Sequence, residues 1–103
     1  MAQKPDKEIL KKVKAYLNVL NEHNLYYESA WLFGSFAQNR AFEDSDIDIA
    51  MVMPEVKNKF FKELELTKYR REIDSRIEPH IINAYDLDTP FYEEVTKGIK
   101  ITV

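Results

Sequence analysis

Cysteine is absent from this chain, which excludes disulfides and thiolate chemistry and sets the expectation of a cytoplasmic protein. Histidine is scarce. With only His23 and His80 available, a Cys/His zinc site and a Cys–His catalytic pair are excluded too. No spacing indicates a Ser-His-Asp grouping. Glycine occurs twice, at positions 34 and 98, so each should mark a place where the backbone needs it. No apolar run is long enough to span a bilayer, and residues 1–5 carry no signal-peptide pattern, so no membrane partner is expected. Neither sign of charge dominates: Lys and Arg number 15 against 18 Asp and Glu, a net charge of −3. That is not the footprint of a polyanion binder, and nucleic acid is not an expected partner. Linkers, repeats and low-complexity segments are also missing, so a single domain over residues 1–103 is expected.

What is present can close a modest core: 45% of the residues are hydrophobic and 13% aromatic. Asp6, after Pro5, can cap a helix over 6–22. Ile9, Val13, Tyr16, Leu17 and Leu20 form its apolar stripe, and Lys7, Lys11, Lys12 and Lys14 lie mostly off it as a solvated face. A second helix is expected over 56–73, after Pro54. Tyr69, Arg70 and Arg71 near its end could reach a phosphate, although cations there more simply favour the helix dipole. Residues 76–82 read as a strand in which Pro79 implies an edge, an end or a bulge. A turn at 86–90, a helix over 91–97 stopped by Gly98 at C′, and a strand over 99–103 complete the chain.

The stretch 31–52, WLFGSFAQNRAFEDSDIDIAMV, organises the rest. Two short apolar runs flank a Gly34-Ser35 break and read as strand, turn, short helix, strand. On the second strand, side chains alternate. Asp46 and Asp48 therefore share a face with Ala50 and Val52, opposite Ile47, Ile49 and Met51. Two like charges on one face raise each other's pKa unless a cation intervenes, and such oxygen pairs suit Mg²⁺. The alternate acids from Asp44 also open like a calcium loop, but the sixth position is Ile49 where Gly is needed, although Glu55 fills the twelfth. Trp31 and Phe33 are expected in the core.

Gly34-Ser35 followed after ten residues by Asp46-x-Asp48 resembles the signature of the nucleotidyltransferase superfamily related to DNA polymerase beta. The length and the wording SDIDIAMV look most like its minimal members, the MNT proteins of prokaryotic toxin–antitoxin pairs. The elements read from the chain run α-β-α-β-α-β-α-β. That order suits an α/β (α+β) fold, a small mixed sheet of about four strands with helices packed on it, and this layout also resembles the nucleotidyltransferase fold. The resemblance assigns Gly34 and Ser35 to the phosphates of a nucleoside triphosphate, and Asp46 and Asp48 to two Mg²⁺ ions. A third carboxylate is needed. Glu78, on the strand that pairs in the family beside the acidic one, is favoured over Asp74, which reads as a solvated cap at a helix end. His80 shares the Glu78 face and could touch metal or substrate, but reads first as a half-buried structural histidine. Family members carry Arg-Gly after the turn. This chain has Ala37-Gln38-Asn39-Arg40 instead, so Asn39 must serve where φ is positive and Arg40 must supply the phosphate contact.

The function implied is transfer of a nucleoside monophosphate, AMP from ATP, to an acceptor hydroxyl. Larger relatives hold the acceptor with a second domain, which 103 residues leave no room for. A partner is therefore expected, by resemblance a HEPN-type helical toxin modified on a tyrosine. Two alternatives stand beside this. One is a non-catalytic antitoxin-like binding module, with Tyr26, Tyr27, Phe91 and Tyr92 as docking surface. The other is a small-molecule nucleotidyltransferase acting as a homodimer.

Overall fold

The computed structural model describes residues 6–54 and 56–103. Residues 1–5, including Pro5, and Glu55 of the rejected calcium loop lie outside the described residues. The elements run α1 (Lys7–Glu22), β1 (Ser29–Phe33), β2 (Ile47–Met53), α2 (Lys59–Lys68), β3 (Ile77–Asn83), α3 (Pro90–Thr96) and β4 (Ile99–Ile101). The four strands form one mixed sheet in the order β3-β2-β1-β4. The β2–β3 pair is parallel, while β1 pairs antiparallel with both β2 and β4. This is the expected α/β architecture.

Local chemistry explains α1 closely. The Asp6 side chain caps it by accepting from the Glu8 N–H at 2.8 Å, and Ile9, Val13, Tyr16, Leu17 and Leu20 are its buried residues. Asn24, at φ 60°, ends the helix in the left-handed region where Asn is tolerated. That apolar stripe packs on the sheet face carrying Leu32, Ile47, Ile49, Met51, Ile77 and Ile81. Tyr16 is fully buried there, its hydroxyl donating to the Leu66 carbonyl of α2 at 2.6 Å. The other face is thinner: Ala50, Val52, Ile82 and Val95 pack together, with Trp31 and Phe33 half-buried around them. The two flanking aromatics are thus at the margin of this second cluster. The seven-residue α3 reaches that face through Phe91, edge-on to Phe33, but Asp46 and Glu78 at this end stay exposed, so the end is open.

Three expectations change. The short helix after Gly34-Ser35 is a single turn over 35–39, in which the Gln38 N–H reaches the Gly34 carbonyl and the Arg40 N–H the Ser35 carbonyl. Asn39 at φ 58° stops any propagation beyond it, so the observed order is α-β-β-α-β-α-β. The second helix is also shorter than 56–73. Asn58 is its N-cap, accepting from the Phe61 N–H, and past Lys68 the chain tightens into i→i+3 turns before β3. Gly98 does stand at C′, but not in a left-handed conformation. A Cβ there would run into the Leu32 carbonyl of β1, so close approach of two backbones is what requires glycine.

The outer edge of β3 is managed by α2 and the turn that follows it. Pro79 offers no N–H, the Glu63 carboxylate accepts the Ile81 N–H at 3.0 Å, and Arg70 Nη1 donates to the Ile77 carbonyl at 2.8 Å. Arg70 therefore serves the fold. Among the described residues no helix is long and apolar enough to cross a membrane.

Candidate active site

The open end of the second sheet face is where the acids lie. Asp48 is the second residue of β2, and the parallel register sets it directly opposite Glu78 of β3. Asp46 immediately precedes β2 and is exposed, near enough to Glu78 for its charge to act on that carboxyl. On its other flank, Asp48 faces Phe33, the last residue of β1. Gly34 comes next, at φ 79°, and a Cβ on it would strike Asp48 Oδ2. Glycine at 34 therefore meets two demands, a left-handed backbone and room for a carboxylate. The start of the turn thus lies directly against Asp48.

His80 adds a member that sequence reasoning had placed second. One step along β3 on the same face, its Nε2 lies 3.2 Å from Asp48 Oδ1. Its ring meets Phe33 edge-on at 5.1 Å and Phe91 of α3 at 6.0 Å. Ligand atoms of Asp48, Glu78 and His80 all fall within 4.8 Å of one another. The alternation Glu78-x-His80 was the signal available in the sequence; the adjacency to Asp48 was not.

The titration of these groups follows from their crowding. Partial burial raises the Glu78 carboxyl above its ordinary value, the neighbouring Asp46 and Asp48 carboxylates raise it further, and His80 opposes them. Since Glu78 is exposed as a residue, the neighbouring acids are the more telling cause. His80 is raised by its hydrogen bond to Asp48, against the effect of its own burial, with the charges of Asp48, Glu63 and Glu78 adding to it. Accumulated negative charge on one open face, built from hard oxygen donors with one imidazole at the side, fits a divalent cation.

The remaining predicted residues are placed as follows. Ser35 is half-buried in the turn. Arg40 is exposed at its end, and its guanidinium donates to the Gln38 side chain. Asp74, the competing third acid, is turned to other partners: Lys12 Nζ at 2.7 Å, and the Arg76 backbone and guanidinium. Arg76 in turn donates to the Glu43 carbonyl at 2.6 Å and lies over the Phe36 ring at 5.6 Å. It therefore ties the turn after β1 and the loop before Asp46 to the start of β3, a role sequence reasoning missed. A groove of about 350 Å³ runs along the outer edge of β3, lined by Phe60, Leu64, Thr67, Pro79, Glu78 and His80 among others. A separate cleft of about 230 Å³ lies near Val19, His23 and Tyr69, with Glu72 as its one carboxylate among the described residues.

A sequence model of the family described as "Polymerase beta, Nucleotidyltransferase" matches residues 11–102. Among solved structures, the chain is similar to one described as a "putative nucleotidyltransferase" from Sulfolobus solfataricus, with a TM-score of 0.62 and 21% sequence identity. The likeness covers 84% of this chain and 84% of that one, and at such identity it speaks for the fold. No curated protein matches the sequence.

Proposed function

The chain belongs to the polymerase beta nucleotidyltransferase family, and we propose that it transfers AMP from ATP to an acceptor hydroxyl, releasing pyrophosphate. The observation that carries this reading is the pairing of Asp48 with Glu78 across β2 and β3, beside the Gly34 turn and with Asp46 near enough to act on Glu78. Asp46 and Asp48 would hold two Mg²⁺ ions and Glu78 would complete one site. When bound, such ions neutralise triphosphate charge and stabilise the oxygens of an in-line displacement. Gly34 lets the backbone approach the phosphates, and Ser35 can offer its hydroxyl and N–H to them. Arg40 is the nearest basic residue in sequence to that turn and supplies a cation. Glu78, whose carboxyl is raised and whose neighbours are negative, is the group suited to accept the acceptor's proton.

The acceptor in this reading is a tyrosine on a HEPN-type helical partner, which the chain serves as antitoxin. Support comes from the β3-edge groove, which shares Glu78 and His80 with the site and is bordered by Phe60, Leu64 and Pro79. Phe60 and Phe61 are each 66% exposed at the start of α2, more apolar surface than a small solvated helix needs. The same surface favours a second reading, a binding module that neutralises its partner by contact alone. Tyr26 and Phe91, expected as docking residues, are also exposed, whereas Tyr27 and Tyr92 are half-buried.

Incubation with α-labelled ATP, Mg²⁺ and the protein encoded by the neighbouring gene separates the two. Label on that neighbour, lost with Asp46→Asn/Asp48→Asn, supports transfer. Tight binding without label, surviving the double substitution, supports contact alone.

A further inference from the structure

We propose that His80 is a direct nitrogen ligand of the divalent ion held by Asp48 and Glu78, so that the site is a mixed oxygen–nitrogen centre suited to Mn²⁺. The inference rests on the reading that this cluster holds a metal, and it adds a ligand to the three carboxylates already assigned.

The fold makes the placement firm. In the parallel β2–β3 register Asp48 stands opposite Glu78 and Ala50 opposite His80, so the small Ala50 side chain leaves the imidazole space to lean toward Asp48. The donor atoms of Asp48, Glu78 and His80 lie within 4.8 Å of one another. Adjacent ligands of a six-coordinate ion with bonds of about 2.1 Å are separated by about 3.0 Å. The observed separation of His80 Nε2 and Asp48 Oδ1, 3.2 Å, is close to that edge. A ring held for packing alone need not aim a nitrogen at a carboxylate that already faces a second one. Phe33 and Phe91 instead hold the ring in place, at 5.1 and 6.0 Å, with Nε2 directed at Asp48.

Ligand chemistry gives the consequence. Carboxylates suit Mg²⁺ and Mn²⁺ alike, but imidazole contributes far more to a first-row transition ion than to Mg²⁺. Replacing His80 by Gln should therefore weaken Mn²⁺ binding about tenfold while leaving Mg²⁺ binding within about twofold.

Pulsed EPR on the Mn²⁺-loaded protein tests this without reference to activity. Directly coordinated imidazole imposes ¹⁴N modulation on the Mn²⁺ signal. The expected result is modulation in the wild type and in His23→Gln, and its loss in His80→Gln, with folding checked by circular dichroism. Bound Mn²⁺ without ¹⁴N modulation in the wild type overturns the assignment of His80 and leaves the carboxylate site standing. Failure of the folded wild-type protein to bind Mn²⁺ at all overturns both.

Discussion

Asp74 and Arg76 close a two-pronged ion pair at the head of β3, with Nε 3.0 Å from Oδ1 and Nη2 2.7 Å from Oδ2. Lys12 of α1 reaches the same carboxylate at 2.7 Å. A planar guanidinium matched to a carboxylate is among the stronger polar contacts a protein makes, and here it is only 9% exposed on the aspartate side. Asp74 is thereby committed to holding α1, the Glu43 loop and β3 together, and Glu78 alone of the two lies among the acids of the open face.

The pair should make stability depend on acid. Hydrogen bonds from Arg76, then from Lys12, hold the Asp74 carboxyl well below its ordinary value of 3.8. A group depressed in the folded state contributes fully above its unfolded pKa, and that contribution drains away as pH falls through the folded value. Asp74→Asn should cost about 2 kcal/mol at pH 7, from the loss of charged hydrogen bonds. The gap from the wild type should narrow progressively below about pH 4. Urea titrations across pH 2 to 7 measure both.

Glu78→Gln should act in opposite directions on stability and on turnover. Without metal, Asp46, Asp48 and Glu78 repel one another, which together with partial burial raises the Glu78 carboxyl. Removing one charge should raise the melting temperature in EDTA by about 2 °C. The same change should lower label transfer to the acceptor about a thousandfold by removing the proton acceptor. A melting temperature that falls in EDTA would refute the crowding account.

Gly34→Ala combines a backbone penalty with a steric one. At φ 79° an L-residue is strained, and its Cβ meets Asp48 Oδ2. The substitution should cost about 1–2 kcal/mol in stability. Displacing Asp48 should reduce transfer about a hundredfold even in protein that remains folded. Chemical denaturation and transfer assays on the same preparation distinguish the two effects.

Tyr16→Phe isolates one buried polar contact. The hydroxyl is pushed well above its ordinary pKa by burial and donates to the Leu66 carbonyl. Losing it should cost about 1 kcal/mol with an unchanged denaturant slope. Transfer activity should be untouched, because Tyr16 lies on the sheet face opposite the acids.

Local chemistry alone set much of this molecule. The Asp6 cap, the five-residue stripe of α1, the alternation along β2 and the left-handed Asn39 all depend on neighbours a few residues away, and each could be read from sequence. The spacing from Gly34 to Asp48 belongs with them, because a single connection joins the two neighbouring antiparallel strands that carry them. The extent of α2 was less legible, although Asn58 carried an unused capping signal. Other relationships were decided only by folding. Whether Asp74 or Glu78 joined the acids depended on the β2–β3 register and on Lys12, sixty-two residues away from Asp74 in the chain. That His80 stands beside Asp48 depended on the register of a parallel pair, which no local turn fixes. Sequence determines which side chains share a face; only the closing of the sheet determines which faces meet.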